Sequence, residues 1–370
     1  MKRFLLAFLL PVVAFAIETR IEIYKTIGDT KLDLTIQLPD GWKPDDKRPA
    51  IVFFFGGGWS SGTAKQFENQ CRYLASRGMV AMAADYRVKS RQDVKPAACV
   101  ADAKSAMRWV RANAGRFGID PQRLAAGGGS AGGHLAAAVA TLPGLDDPKD
   151  DLSVSCVPNA LVLFNPALVL APIEGAELKG FESKASAERF GCEPAEISPV
   201  HHVKAGVPPT IIFHGKADST VPYASAELFT ARMTKAGSRC ELVGFGWHQG
   251  WNDRVNDKFN AEYEANMVHF IRDIRKDLGV PALPFVIAET GMGGLEETHP
   301  RALSLMKAQA AVADHKEFQG NVSFVKTRAF WRPKEQSPSG QNYHWNSNAE
   351  TYYLIGEGMG VAMKQLLKGK

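Results

Sequence analysis

The sequence predicts an α/β protein: an eight-stranded, mostly parallel sheet covered by helices, followed by a small C-terminal α/β segment. Three observations predict it. Short continuous apolar runs at 49–55, 79–84, 160–164 and 210–214 have the length and composition of strands buried on both faces. They alternate with stretches of helical spacing, the pattern of strand–helix–strand units. The chain has 370 residues, 45% hydrophobic and 22% charged, which excludes a disordered chain or a disulfide-stapled miniprotein.

Taken in order, residues 20–26 and 31–38 alternate apolar and polar around Gly28-Asp29 and read as an antiparallel hairpin. Residues 49–55 form a buried strand ending in glycines, 64–77 a polar helix and 79–84 a second buried strand. A helix over 97–114 leads to a short strand at 124–126, then Gly127-Gly128-Gly129 and an alanine-rich helix to 142. Strands at 160–164, 210–214 and 240–245, a helix at 225–236 and a long amphipathic helix at 252–278 complete eight strands within 18–278. Residues 169–203 break the rhythm and read as an insertion over one end of the sheet. The prolines in 279–284 mark a junction, giving a large domain at 17–279 and a segment at 280–370 with two strands (285–289, 322–326) and two helices (300–314, 349–367). A two-stranded unit is marginal alone, so the segment is expected to pack on the large domain or on a second subunit.

Met1-Lys2-Arg3 followed by an apolar run to Ile17, with Ala14-Phe15-Ala16 as a small-x-small site, reads as a signal peptide over 1–16. The expectation is a secreted or periplasmic protein with no membrane association after cleavage. The formal charge is +5, but Lys2 and Arg3 belong to that segment; without them 42 basic residues face 39 acidic ones. No basic stripe with interleaved aromatics is present, which excludes nucleic acid as a partner. The five cysteines, 71, 99, 156, 192 and 240, show no zinc spacing and read as buried thiols with at most one bridge.

Gly128-Gly129-Ser130-Ala131-Gly132 fits Gly-x-Ser-x-Gly between a strand and a helix. A serine on such a turn needs neighbours without bulk, and the helix N-terminus turns N–H groups toward a developing oxyanion. With Gly127 added, the stretch Gly127–Gly132 also satisfies Gly-x-Gly-x-x-Gly, though after the fifth strand rather than the first, and close helix–strand packing is a third reading. Other residues favour the nucleophile. Gly56-Gly57-Gly58-Trp59 ends an earlier strand where a second oxyanion donor is expected, so Gly57, Gly58, Trp59 and Ala131 are the oxyanion candidates. Asp218 follows the strand at 210–214, and His248 follows the next one. Ser130, Asp218 and His248 thus occur in the nucleophile–acid–base order that this architecture uses. His134 reads as a packed or bridging histidine, and the adjacent His201 and His202 would face opposite ways on a strand.

These motifs, with Asp85-Tyr86-Arg87 and His214-Gly215-x-x-Asp218, resemble the α/β-hydrolase family, in particular secreted esterases of the acetyl-xylan and feruloyl type. The resemblance covers residues 18–278. It implies two-step acyl transfer at Ser130, with His248 as base, Asp218 orienting it, and no metal or organic cofactor. Relatives carry histidine before the glycine run, where this chain has Phe55. Short-chain esterase or lipase, feruloyl esterase and a catalytically dead carbohydrate-binding protein remain alternatives.

Residues 284–291 and 343–352, with His344-Trp345-Asn346 the most telling, resemble the C-terminal part of sialate O-acetylesterase-like SGNH hydrolases. In that family the residue matching His344 is catalytic and has aspartate three positions earlier. Gln341 stands there in this chain, and the family's own nucleophile block is missing. A second complete active site is therefore not expected. The segment reads as a structural remnant, as a wall of the substrate cleft with Trp331, Tyr343 and Trp345 as sugar-stacking surfaces, or as a dimerisation element. Trp247 and His344 join these as candidate substrate-binding residues. The expected partner is a small or polysaccharide ester.

Overall fold

The computed structural model describes residues 17–174, 186–215, 218, 220–242, 245–277 and 280–368, and the chain forms two compact units, one ending at Leu242 and one starting at Val243. The segment expected to be a signal peptide (1–16), the centre of the insertion (175–185) and Gly279 lie outside the described residues.

In the first unit the hairpin β1 (Glu18–Ile27) and β2 (Thr30–Leu38) pairs Glu18 with Leu38. There follow β3 (Arg48–Phe54), α1 (Glu68–Ser76), β4 (Val80–Ala84), α2 (Lys89–Gln92), α3 (Pro96–Ala112) and β5 (Ile119–Gly129). Next come α4 (Ala131–Thr141), β6 (Ala160–Phe164), α5 (Ala187–Phe190), β7 (Thr210–Phe213), α6 (Tyr223–Lys235) and β8 (Cys240–Leu242). The eight strands form one sheet in the order β1-β2-β4-β3-β5-β6-β7-β8. β1–β2 and β2–β4 are antiparallel and every other pair is parallel. The apolar runs are explained by burial on both faces. Ala50, Val52 and Phe54 of β3 join a core with α3 and α4, while Ile51 and Phe53 meet Phe67 and Cys71 on the other side. All five cysteines are free thiols.

The second unit contains β9 (Phe245–Trp247), α7 (Trp251–Val255), α8 (Asp257–Asp277), β10 (Phe285–Ala288), α9 (Pro300–Asp314), β11 (Val322–Val325) and α10 (Ala349–Lys368). Its sheet is parallel, in the order β11-β10-β9. Three expectations are corrected here. The junction lies at 242/243 rather than 279/280, because Tyr263, Met267, Ile271 and Ile274 of α8 bury against Leu283, Phe285, Leu305 and Phe318. The expected strand at 240–245 is two strands in two sheets, so the C-terminal sheet has three strands. The long helix is interrupted at Asn256, whose backbone is extended and whose side chain accepts from Phe259 N (3.0 Å), capping α8.

Candidate active site

Ser130 sits on the turn between β5 and α4 with φ 53° and ψ −117°, a conformation a side-chain-bearing residue adopts only under constraint. The constraint is visible. Ser130 N donates to Phe164 O (2.9 Å), and its carbonyl accepts from His134 N (2.9 Å) and Ala167 N (3.3 Å). Gly128 and Gly132 on either side of it have no room for a side chain. A Cβ on Gly132 would lie 2.0 Å from Phe54 O, and one on Gly128 would lie 2.4 Å from the Gly132 backbone. Gly127 to Gly129 belong to β5 itself, so they form no free loop that could approach a pyrophosphate, which removes the support for a dinucleotide fingerprint. The turn leaves Ser130 half-buried at the N-terminus of the 11-residue α4, where helix N–H groups favour negative charge.

The glycine run follows β3 and passes over this turn. A Cβ on Gly56 would be 3.0 Å from Gly129 O and 3.4 Å from the Ser130 Cβ. Gly57 (φ 129°) and Gly58 (φ 61°) are exposed, whereas Trp59 (φ 58°) is buried. Gly56 N donates to Gln66 Oε1 (2.5 Å), and Ser60 N and Ser61 N donate to Gly57 O (3.0 and 3.1 Å). The loop is also anchored from its strand end. Phe55 stacks on Tyr86 at 4.0 Å, and Tyr86 Oη donates to the Phe55 carbonyl (2.7 Å). The neighbours of Tyr86 serve the scaffold: Asp85 is gripped by Arg91, and Arg87 pairs with the buried Asp102 at 2.8 Å.

Asp218 lies in the loop after β7. Its Oδ1 accepts from Thr220 N (2.8 Å) and Val221 N (2.9 Å), and Oδ2 is 3.7 Å from His214 Nε2. Burial raises its pKa, but the two N–H groups, His214 and a hydrogen bond with Asn165 outweigh this and hold it below the usual carboxylate value. Asn165 was not foreseen. It follows β6 directly after Phe164, the acceptor of Ser130 N, and has φ 36°, with its own N–H donating to Phe213 O (2.7 Å). The nucleophile turn and the acid loop are therefore joined through residues 164 and 165.

His248 belongs to the second unit, at the end of β9, and not to a strand of the large sheet as expected. Its ring lies 5.5 Å from Trp345, its Nε2 is buried without a hydrogen-bond partner among the described residues, and burial lowers its pKa. The adjacent Gln249 carbonyl accepts from Tyr263 Oη (3.0 Å) and Gln309 Nε2 (3.2 Å). Each of the four histidines in the first unit has a ring nitrogen on a main-chain carbonyl: His134 on Ile197, His201 on Pro172, His202 on Ala195 and His214 on Val221. His201 and His202 lie in a 3₁₀ turn rather than a strand.

The expected sugar-stacking surfaces divide. Trp345 is 1% exposed and packs on His248 and Trp331, so it offers no face to a sugar. Trp247 is also committed, with its indole N–H on Tyr263 Oη (3.0 Å) and its ring on Phe270. Tyr343 is 43% exposed, His344 beside it is exposed and Trp331 is half-buried.

Comparison with known proteins matches two family models to overlapping parts of the chain. The BD-FAE family model matches residues 34–233, and a model described as carbohydrate esterase, sialic acid-specific acetylesterase, matches 217–365. Esterase LipC of Mycobacterium tuberculosis is 31% identical over 225 residues, covering 56% of this chain and 54% of LipC. Carboxylesterase NlhH of the same species is 35% identical over 129 residues, 34% of this chain and 39% of NlhH. The chain spans about half the length of the curated relatives it matches. Among solved structures, native Thermogutta terrifontis esterase 2 is 54% identical with a TM-score of 0.57, over 60% of this chain and 79% of that one. Its propionate-bound form aligns over 71% and 95% at 48% identity with a TM-score of 0.58.

Proposed function

Because the chain belongs to the BD-FAE family of α/β-hydrolase esterases, we propose that it is a serine carboxylic-ester hydrolase with Ser130 as nucleophile. The observation that carries this reading is the strained Ser130 on the β5–α4 turn, with the glycine run 56–58 passing over it. Ser130 Oγ attacks the ester carbonyl carbon while its proton passes to the base. The tetrahedral oxyanion is held by the N–H groups of Ala131 and of the Gly57–Trp59 stretch, each donor being worth about 3 kcal/mol. Collapse expels the alcohol, which takes the proton back from the base. Water then attacks the acyl-enzyme with the same base, releasing the acid and free Ser130. The nucleophile–acid–base order of the chain assigns the role of base to His248 and that of its acid partner to Asp218. Burial lowers the His248 pKa, which favours the neutral imidazole a base needs, and its Nε2 is buried without a hydrogen-bond partner among the described residues. His214 Nδ1 is likewise buried without a partner, so it is the chain order that assigns the base to His248.

The substrate class proposed is an acetyl or other short acyl ester of a carbohydrate. The match of residues 217–365 to a carbohydrate esterase model supports the sugar, and the propionate- and butyrate-bound forms of the Thermogutta terrifontis esterase support the short acyl group. The commitment of Trp247 and Trp345 to packing favours a second reading, a general short-chain esterase. Hydrolysis of acetylated xylan, feruloyl sugar and p-nitrophenyl acetate by the full chain and its Ser130→Ala variant tests both. Sugar esterase activity requires acetylated xylan to be turned over at a kcat/KM comparable with or above that of p-nitrophenyl acetate. Turnover of the p-nitrophenyl ester alone favours the general esterase, and turnover that survives Ser130→Ala overturns the nucleophile.

A further inference from the structure

Two exposed glycines with positive φ cannot hold an oxyanion loop by themselves, since glycine gives up the most backbone freedom on ordering. Beyond the anchors at Phe55, Gly56 and Gly57 already described, the loop is fixed at its next residue. Trp59 is 6% exposed and sits at φ 58°, left-handed backbone that a bulky residue keeps only when its surroundings impose it. Its indole Nε1–H donates to His134 Nδ1 (3.2 Å), and the two rings meet edge to face at 5.2 Å. Phe190 closes the other side at 6.1 Å.

His134 can accept that bond because of what its other nitrogen does. Nε2 lies 2.8 Å from the Ile197 carbonyl, which only accepts, so the proton is on Nε2 and Nδ1 presents a lone pair. His134 is fully buried, and burial pushes its pKa down to about 4, in keeping with one neutral tautomer. It lies one helical turn after Ser130, with its N–H on the Ser130 carbonyl (2.9 Å). One imidazole therefore connects the helix that carries Ser130 and Ala131 to the loop that carries Gly57 and Gly58.

We propose that His134 is a positioning residue for acyl transfer: by accepting the Trp59 indole N–H it fixes the Gly57–Gly58 amides against the N-terminus of α4. This role rests on the esterase reading above.

The test is the steady-state kinetics of p-nitrophenyl acetate hydrolysis by the full chain. Trp59→Phe keeps the ring but removes the N–H, and His134→Leu removes the acceptor. Each should lower kcat and kcat/KM together by roughly 10- to 100-fold with KM little changed, as expected for groups that act in the transition state. The double variant should be no worse than the poorer single one. His134→Gln can accept and donate with one amide and should recover most of the rate. Should His134→Leu fail to fold, Trp59→Phe and His134→Gln still decide. Ser130-dependent turnover left unchanged by Trp59→Phe would overturn the role of His134 alone. Turnover that survives Ser130→Ala would overturn the esterase reading and this role with it.

Discussion

Acidification offers a quantitative test of the buried His134. Burial lowers its pKa to about 4 in the folded protein, against 6.5 for an ordinary histidine. Between these values the unfolded chain binds a proton that the folded chain refuses, so stability is complete above pH 6.5 and declines as the pH falls toward 4. Each pH unit is worth about 1.4 kcal/mol, so the 2.5-unit window costs about 3.4 kcal/mol. Glutamine at 134 does not titrate, and every other group is common to both proteins. The stability advantage of wild type over His134→Gln should therefore shrink by about 3 kcal/mol between pH 7 and pH 4. The chain has two units and need not unfold in one step, so the suitable assay is urea-dependent hydrogen exchange read on peptides from β5 and α4 by mass spectrometry. A difference between the two proteins that stays constant across this range would refute the neutral, buried His134 and with it the acceptor for Trp59.

His248→Ala should lower kcat by at least about 10⁴-fold. In wild type the acid limb of the rate profile should have its midpoint below 6.5, because burial lowers the His248 pKa and only the neutral ring can act as base. Gly132→Ala would place a Cβ 2.0 Å from Phe54 O, so it should cost about 3 kcal/mol or more, or prevent folding, by thermal melting. Gly144→Ala, at φ 67° with open space around it, should cost only about 1 kcal/mol. In the second unit Gln309→Leu leaves Thr290 N, which donates to Gln309 Oε1 at 2.8 Å, without its partner, and should cost about 2 kcal/mol by hydrogen exchange of residues 285–290.

Most of the first unit was legible in the sequence because strands buried on both faces leave continuous apolar runs, and the nucleophile turn leaves closely spaced glycines. What the sequence does not carry is the identity of a strand's partner. The segment 240–245 reads as one strand, and nothing local says that it is cut between two sheets or that β9 pairs with β10. The amphipathic pattern of α8 announces a buried face without naming Leu283 and Leu305 as what covers it. Aromatic residues are ambiguous in the same way: Trp345 and Tyr343 look alike as sugar platforms, yet one is buried and the other exposed. Asn165 and His134 act through hydrogen bonds to residues far along the chain, and such partners leave no spacing to read.

The central claim, that Ser130 is the nucleophile, is tested most directly by covalent labelling. Paraoxon, which phosphorylates the Thermogutta terrifontis esterase, should add one diethylphosphoryl group to the full chain, on the peptide containing Ser130, with parallel loss of ester hydrolysis. Ser130→Ala should take up none and show no turnover. An unlabelled wild-type protein that still hydrolyses esters, or an adduct on another residue with activity lost, would contradict the account.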